Sequence, residues 1–170
     1  MGKRYDGDMN KQEVKGFLQA KGIDFKWFEH KAVYTVKQSL EIDLPHPEAR
    51  AKNLFLRDEK KRMYCLVTLP DEKSIDLKQF ADDNGLKRLS FASEEDLERI
   101  LGLEKGSVTP LGLLNDEKRI VRFFLDEDFR GMNVYVHPNE NTASVLIDAE
   151  DLLDIIREHG EEAGFVQIKG

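Results

Sequence analysis

Three short stretches carry residues able to do chemistry. Lys52-Asn53 opens an apolar run, Gly106-Ser107-Val108-Thr109-Pro110-Leu111-Gly112 forms a loop, and His137-Pro138 closes another apolar run. A lysine at the mouth of an apolar face can neutralise a phosphate or hold a carbonyl oxygen, and the Asn53 amide can anchor a loop or a ligand hydroxyl. Glycine permits backbone angles and close approaches that side chains forbid, while Pro110 fixes its own φ and biases Thr109 towards an extended form. Such a loop presents rigid N–H and C=O groups, which suits a site that must position water or an acyl group. His137 can donate to a substrate, accept from it, or exchange a proton near neutral pH. Each piece also has an ordinary reading: a strand-end lysine in water, a polar strand start, a connecting loop and a strand-end histidine.

Other chemistries lack their residues. The loop has no Gly-Lys-Ser/Thr ending and does not match the strand-linked Gly-x-Gly-x-x-Gly fingerprint. Four scattered histidines and one cysteine show no zinc spacing, so no metal or cofactor is expected. Ser107 has no readable base partner. Cys65, between Tyr64 and Leu66, reads as a core residue rather than a nucleophile, and being single it excludes an internal disulfide. His30 lies in a loop that can border a pocket, with Tyr34 further along it. Any catalysis here is expected to need neither metal nor protein nucleophile.

The elements that must position these residues follow from pattern. An Asn10-x-x-Glu13 capping box starts a helix that buries Val14, Phe17 and Leu18 and ends at Gly22. Phe25 to Phe28 reads as a strand, and Thr35-x-x-Gln38 caps a short helix that must stop before Pro45. Asn53 to Arg57 and Met63 to Leu69 form a hairpin across a charged turn. On its first strand Lys52, Leu54 and Leu56 share one face, Asn53, Phe55 and Arg57 the other. Ser74 to Asn84 reads as a helix, Lys87 to Phe91 as a strand, and Ser93-x-x-Asp96 as the start of a helix running through Leu101. Strand-like runs follow at 119–125, 133–136 and 143–147. Asp148 then caps a helix containing Leu152, Leu153, Ile155 and Ile156, and Phe165 to Ile168 ends the pattern as a strand. Helices and strands intermix without regular alternation, so the expected class is α+β, with a curved, mixed but largely antiparallel sheet, barrel-like and partly wrapped by helices.

At 170 residues, 40% hydrophobic and 35% charged, the chain suits one soluble globular domain spanning 1–170, with 1–9 a loose arm. No apolar run approaches the roughly 18 residues of a membrane span and the polar start has no signal-peptide core, so the expected compartment is the cytosol. The net charge of −7 argues against a broad duplex-binding surface but leaves room for a local basic rim. Arg50, Lys52, Arg57, Lys60, Lys61 and Arg62 crowd one short stretch. Lys60 to Arg62 read there as a solvated hairpin tip.

Taken jointly, the motifs resemble those of the YbaK and prolyl-tRNA-synthetase-associated editing family. The resemblance runs from about Phe28 to Ile147, through His30-x-x-Val33-Tyr34-Thr35, Ala51-Lys52-Asn53-Leu54-Phe55-Leu56, the Gly106 to Gly112 loop and His137-Pro138-x-x-Asn141-Thr142. It implies a YbaK-like fold and hydrolysis of the ester of a mischarged tRNA(Pro). The free-standing branch acting on Ala-tRNA(Pro) is the nearest in motif, with the branch acting on Cys-tRNA(Pro) its neighbour. By that resemblance Lys52 grips the terminal phosphate or the aminoacyl group, and the loop from Gly106 through Ser107, Val108 and Thr109 to Pro110 orients the ester and water. His137, Asn53, Gly112, His30 and Tyr34 line the substrate. Arg57, Lys87 and Arg88 are candidate acceptor-stem contacts, and the tRNA's terminal hydroxyl assists. Contact with prolyl-tRNA synthetase is an implied, transient partnership; no membrane partner is expected. The competing class is a non-catalytic module that binds an aminoacyl end or a synthetase, and a remote third is an unrelated hydrolase using Cys65 or His30.

Overall fold

The computed structural model describes residues 8–169. The chain runs α1 (Lys11–Ala20), β1 (Phe25–Glu29), α2 (Val36–Glu41), β2 (Ala51–Asp58), β3 (Tyr64–Pro70), α3 (Leu77–Asp83), β4 (Leu89–Phe91) and α4 (Glu94–Asp96). It continues with β5 (Val121–Asp126), β6 (Asn133–Val136), β7 (Ala143–Asp148), α5 (Ala149–His159) and β8 (Ala163–Val166). The capping signals act as their chemistry requires. The Asn10 side chain accepts from the Glu13 N–H at 2.8 Å while Glu13 Oε1 accepts from the Asn10 N–H at 3.2 Å. Asp148 accepts from the N–H groups of Glu150 and Asp151 and starts α5.

One helix is shorter than its pattern suggests and another changes type along its length. Asp76, not Ser74, caps α3, because its carboxylate takes the N–H groups of both Lys78 and Gln79. The helix begun at Ser93 gives one α-turn, then a π-turn over Leu97–Leu101, and stops at Gly102 with φ +64. The expected loose arm lies largely outside the described residues, at 1–7. Its last residue is held on both sides: the Met9 N–H donates to Asn115 Oδ1 at 2.8 Å, and Asn139 Nδ2 donates to the Met9 carbonyl at 3.0 Å.

The class is α+β with mixed pairing, as expected, but among the described residues the strands form two open sheets rather than one barrel-like sheet. One has three strands in the order β1-β7-β6, the other five in the order β4-β2-β3-β5-β8. The reason is connectivity. β2 pairs antiparallel with β3 and β4, whereas β5 lies parallel to β3, and β8 parallel to β5. Parallel neighbours need long crossovers, and here these carry α3, α4 and α5. Meanwhile β6 folds back on β7, which pairs with β1.

Alternation divides the core across the five-stranded sheet. Phe55, Leu66, Phe123 and Leu125 belong to one cluster with Leu152 and Ile156 of α5. Leu56, Cys65, Val67, Leu69 and Phe124 belong to a second with Phe80 and Ala81 of α3. Cys65 is fully buried, and burial pushes its thiol up to about 12, which fits a core residue and not a nucleophile.

One buried group introduces a pH dependence. Glu161, 3% exposed, sits just before β8, with Oε1 2.6 Å from His159 Nδ1. Burial, reinforced by the facing Asp116 carboxyl and opposed by Arg119, raises it from 4.5 to about 8. Between those values the folded chain holds a proton that the unfolded chain has released, so stability falls as pH rises through the window. Glu161→Gln should therefore melt roughly 2–4 °C above the parent near pH 9, an advantage that shrinks towards pH 5. Thermal melts across that range check it, and a gap independent of pH would contradict the assignment.

Candidate active site

The β6–β7 hairpin is the scaffold. Pro138 ends β6 one residue after His137, and the chain returns into β7 at Ala143. His137 Nδ1 lies 3.0 Å from the Ala143 carbonyl, and since a carbonyl only accepts, Nδ1 carries the proton. Burial holds the ring's pKa below the usual imidazole value; the bond to Ala143 opposes this, and nearby His30 adds to it. At neutral pH the ring is uncharged, and Nε2 offers a lone pair. The His30 ring stands edge-on to it, 6.4 Å between centroids. His30 is fixed by its own bonds: Nδ1 donates to the Lys31 carbonyl at 2.8 Å, Nε2 meets Ser144 Oγ at 2.8 Å, and the backbone N–H donates to the Thr142 carbonyl at 3.0 Å.

The glycine loop docks on the same hairpin. Thr109, fully buried, donates its hydroxyl to the His137 carbonyl at 2.6 Å. The Ser107 N–H closes a turn onto the Glu104 carbonyl at 3.0 Å. Gly106 has φ +92, which a side chain rarely adopts, and a Cβ there would lie 3.7 Å from Tyr34 Cδ1 and 3.9 Å from both Asn141 Nδ2 and the Val33 carbonyl. Asn141 Nδ2 in turn donates to that carbonyl at 2.9 Å. Residues 30–34, 106–109 and 137–144 are thus knitted into one cluster, with Tyr34 68% exposed beside the loop. From Pro110 on, the loop is a 3₁₀ turn, Pro110–Asn115, and is buried. Gly112, expected at the substrate, serves packing instead: a Cβ there would stand 2.5 Å from Leu103 Cδ1.

Lys52 and Asn53 part company at the mouth of β2. Asn53 lies on the face of Ala51 and Phe55, which pack into the core that Val108 also touches. Its Oδ1 accepts the Thr68 hydroxyl across the strands at 2.5 Å. Lys52, half-buried and opposite Leu69, shares the face of Leu54 and Leu56, turned to the second core. The loop and His137 therefore touch directly, whereas Lys52 lies on the face of β2 turned to the second core. Its long stem has to round the open end of β2 to bring the ammonium to the loop.

The basic residues also separate. Arg57 Nη1 donates to the carbonyls of Asp58 and Glu59 at 2.9 and 3.4 Å, so its guanidinium is engaged with its own turn. Lys87 and Arg88 are exposed, and Arg88 meets Glu59 loosely at 3.8 Å. A hollow of about 320 Å³, lined by Asp8, Arg99, Ile100, Asn115 and Asp116 among others, contains none of the residues singled out from sequence.

Sequence reading missed two supporting groups, Ser144 under His30 and Thr68 under Asn53. Both are buried hydroxyls inside otherwise apolar strands. That polar interruption was the available signal, since a buried hydroxyl needs a partner.

Comparison with known proteins shows the family of the chain. A family model for the aminoacyl-tRNA editing domain matches residues 30–155. The prolyl-tRNA editing protein ProX of Acetoanaerobium sticklandii is 42% identical over 151 residues, covering 88% of this chain and 92% of its own. The prolyl-tRNA synthetase associated domain-containing protein 1 of Bos taurus is 34% identical over 154 residues, covering 85% of this chain and 87% of its own. Among solved structures, a candidate trans-editing enzyme for prolyl tRNA synthetase superposes with a TM-score of 0.69 at 22% identity, over 94% of this chain and 96% of that one, a likeness of fold. With the matched span enclosing the His30 loop, the glycine loop and the His137 hairpin, the chain belongs to the aminoacyl-tRNA editing domain family.

Proposed function

We propose that this protein is a trans-editing deacylase that hydrolyses the ester of mischarged tRNA(Pro), with Ala-tRNA(Pro) its preferred substrate. The observation that carries the reading is the Thr109–His137 bond, which fixes the glycine loop beside a neutral imidazole. The relative named for prolyl-tRNA editing supports the choice of tRNA. An aminoacyl ester is already activated, so positioning and electrostatic support of the developing oxyanion are enough to accelerate its cleavage. In this reading the peptide groups at 106–109 orient the ester carbonyl and a water. Water adds to the acyl carbon, the carbon–oxygen ester bond breaks, and the ribose oxygen leaves with a proton, assisted by the neighbouring terminal hydroxyl. His137 Nε2 accepts a hydrogen bond from a ribose hydroxyl or from the aminoacyl ammonium. Lys52, reaching round the end of β2, steadies the terminal phosphate or the acyl carbonyl. His30 and Tyr34 border the acyl end, and Asn53 supports the pocket floor through Thr68. Prolyl-tRNA synthetase is the source of the mischarged tRNA and a transient neighbour, since a proline pocket rejects smaller residues poorly.

One observation favours a second reading. Lys52 faces the second core rather than the loop, and a module that only holds an aminoacyl end needs no ammonium at the ester. Incubation with separately prepared Ala-, Cys- and Pro-tRNA(Pro) decides between them. Release of alanine ahead of cysteine, with proline retained, is expected, together with a loss of ~10²–10³ in rate in a folded Lys52→Ala variant. Faster release of cysteine would assign the neighbouring specificity, and no release at all would leave the binding module.

The neutral His137 ring sets a pH limit. With its pKa held below the usual value of about 6.5, kcat/KM should lose its His137 contribution only on the acid side of that point, where Nε2 becomes a donor. A pH–rate profile of the parent against His137→Gln checks this. The acid limb should disappear in the variant, and a limb retained unchanged would exclude the imidazole as its origin.

A further inference from the structure

The turn between β2 and β3, which sequence reads as merely solvated, is held in shape and gains neighbours from elsewhere in the chain. The buried Asp58 carboxylate accepts from the N–H groups of Arg62 and Met63 at 2.7 and 3.2 Å, and the Lys61 N–H donates to the Asp58 carbonyl at 3.2 Å. Lys60, Lys61 and Arg62 therefore project from a fixed turn. Antiparallel pairing sets Asp58 opposite Leu89 and Arg57 opposite Ser90, so continuing that register carries Arg88 beside Glu59 and Lys87 beside Lys60. The 3.8 Å contact between Arg88 and Glu59 agrees with this placement. Lys60, Lys61, Arg62 and Lys87 make no close ion pair with another side chain among the described residues, although Lys61 acts on the Asp96 carboxylate from a distance. In a chain of net charge −7, five cations thus gather at one tip, with the Glu59 carboxylate and the hydrogen-bonded Asp58 carboxylate set among them.

Phe91, 61% exposed, lies on the edge strand β4 opposite Leu56, and it shares the face of Leu54 and Lys52. Beyond it the chain turns at Ser93 into α4, where Glu94 meets Lys105, the residue before Gly106, at 3.5 Å. An exposed aromatic on the edge strand thus stands next to the basic tip, and the chain beyond it is tied through Glu94 to the start of the glycine loop. Aromatic faces that stack bases, flanked by cations that contact phosphates, are how proteins hold single-stranded nucleic-acid ends. The six residue steps from Lys52 to Asp58 span about 20 Å, which sets the tip well away from the ester. We propose that this strip docks the acceptor arm of the tRNA: Phe91 stacks an unpaired base near the 3′ end, and Lys60, Lys61, Arg62, Lys87 and Arg88 contact phosphates of the stem.

The proposal rests on the editing reading, and the test separates the two. Parent, Phe91→Ala, and the combined charge-neutral variants K60Q/K61Q/R62Q and K87Q/R88Q are assayed on Ala-tRNA(Pro) and on a short alanylated CCA fragment. Binding of uncharged tRNA(Pro) is measured separately as a function of salt. Expected is a fall of roughly tenfold or more in the tRNA-to-fragment ratio of kcat/KM for Phe91→Ala. The log–log salt slope of tRNA binding should flatten by about 0.9 for each phosphate contact removed. An unmoved ratio and slope would overturn the proposal, as would equal losses on both substrates. Failure of the parent to cleave either substrate would count against the editing reading alone, because the salt slope of uncharged tRNA still tests the strip.

Discussion

The site depends on a single buried hydrogen bond between two segments far apart in sequence, from the Thr109 hydroxyl to the His137 carbonyl. It holds the glycine loop against the end of β6 at the point where the hairpin also presents the imidazole. Both partners are poorly placed to find water, so the bond is worth its net contribution and also avoids an unsatisfied buried group, together about 1–3 kcal/mol. Gly106 and Asn141 then extend the same junction to the Val33–Tyr34 segment. The surface proposed for the reaction is thus peptide backbone held in place from both sides, which suits an already activated ester.

Two consequences follow for how the rest of the molecule is used. The five-stranded sheet separates chemistry from support: Asn53 faces the core that backs the loop, whereas Lys52, Leu54 and Phe91 share the opposite face. Charge is separated too. The chain is acidic overall, yet cations collect at one end of that sheet, at the β2–β3 turn. For the proposed docking of one nucleic-acid arm, a short basic strip on an otherwise acidic surface favours brief contact and release.

Much of the fold was legible because its signals are local. The Asn10–Glu13 box, the Asp148 cap and the alternation through β2 and β3 each act over a few residues, and the structure keeps them. The sheet arrangement was not legible, because parallel pairing of β3 with β5 and of β5 with β8 depends on contacts across long crossovers. At the site, His30, the glycine loop and His137 could be picked out by residue type, but not the bonds that join them. Gly112 misled for a related reason. A glycine needed for close packing on Leu103 has the same appearance in sequence as one needed for a ligand. Hydrogen bonding within the β2–β3 turn, invisible in composition, engages Arg57 and leaves Lys60 to Arg62 projecting from it.

The most direct measurement is the rate of Ala-tRNA(Pro) hydrolysis by Thr109→Val beside Thr109→Ser, with thermal melts to show that both are folded. Serine keeps the hydroxyl and should retain most of the activity. Valine keeps the shape without the donor and should lose about 10²-fold, the usual scale for a misplaced positioning element. A folded valine variant working at the parent rate would contradict the dependence of catalysis on this junction.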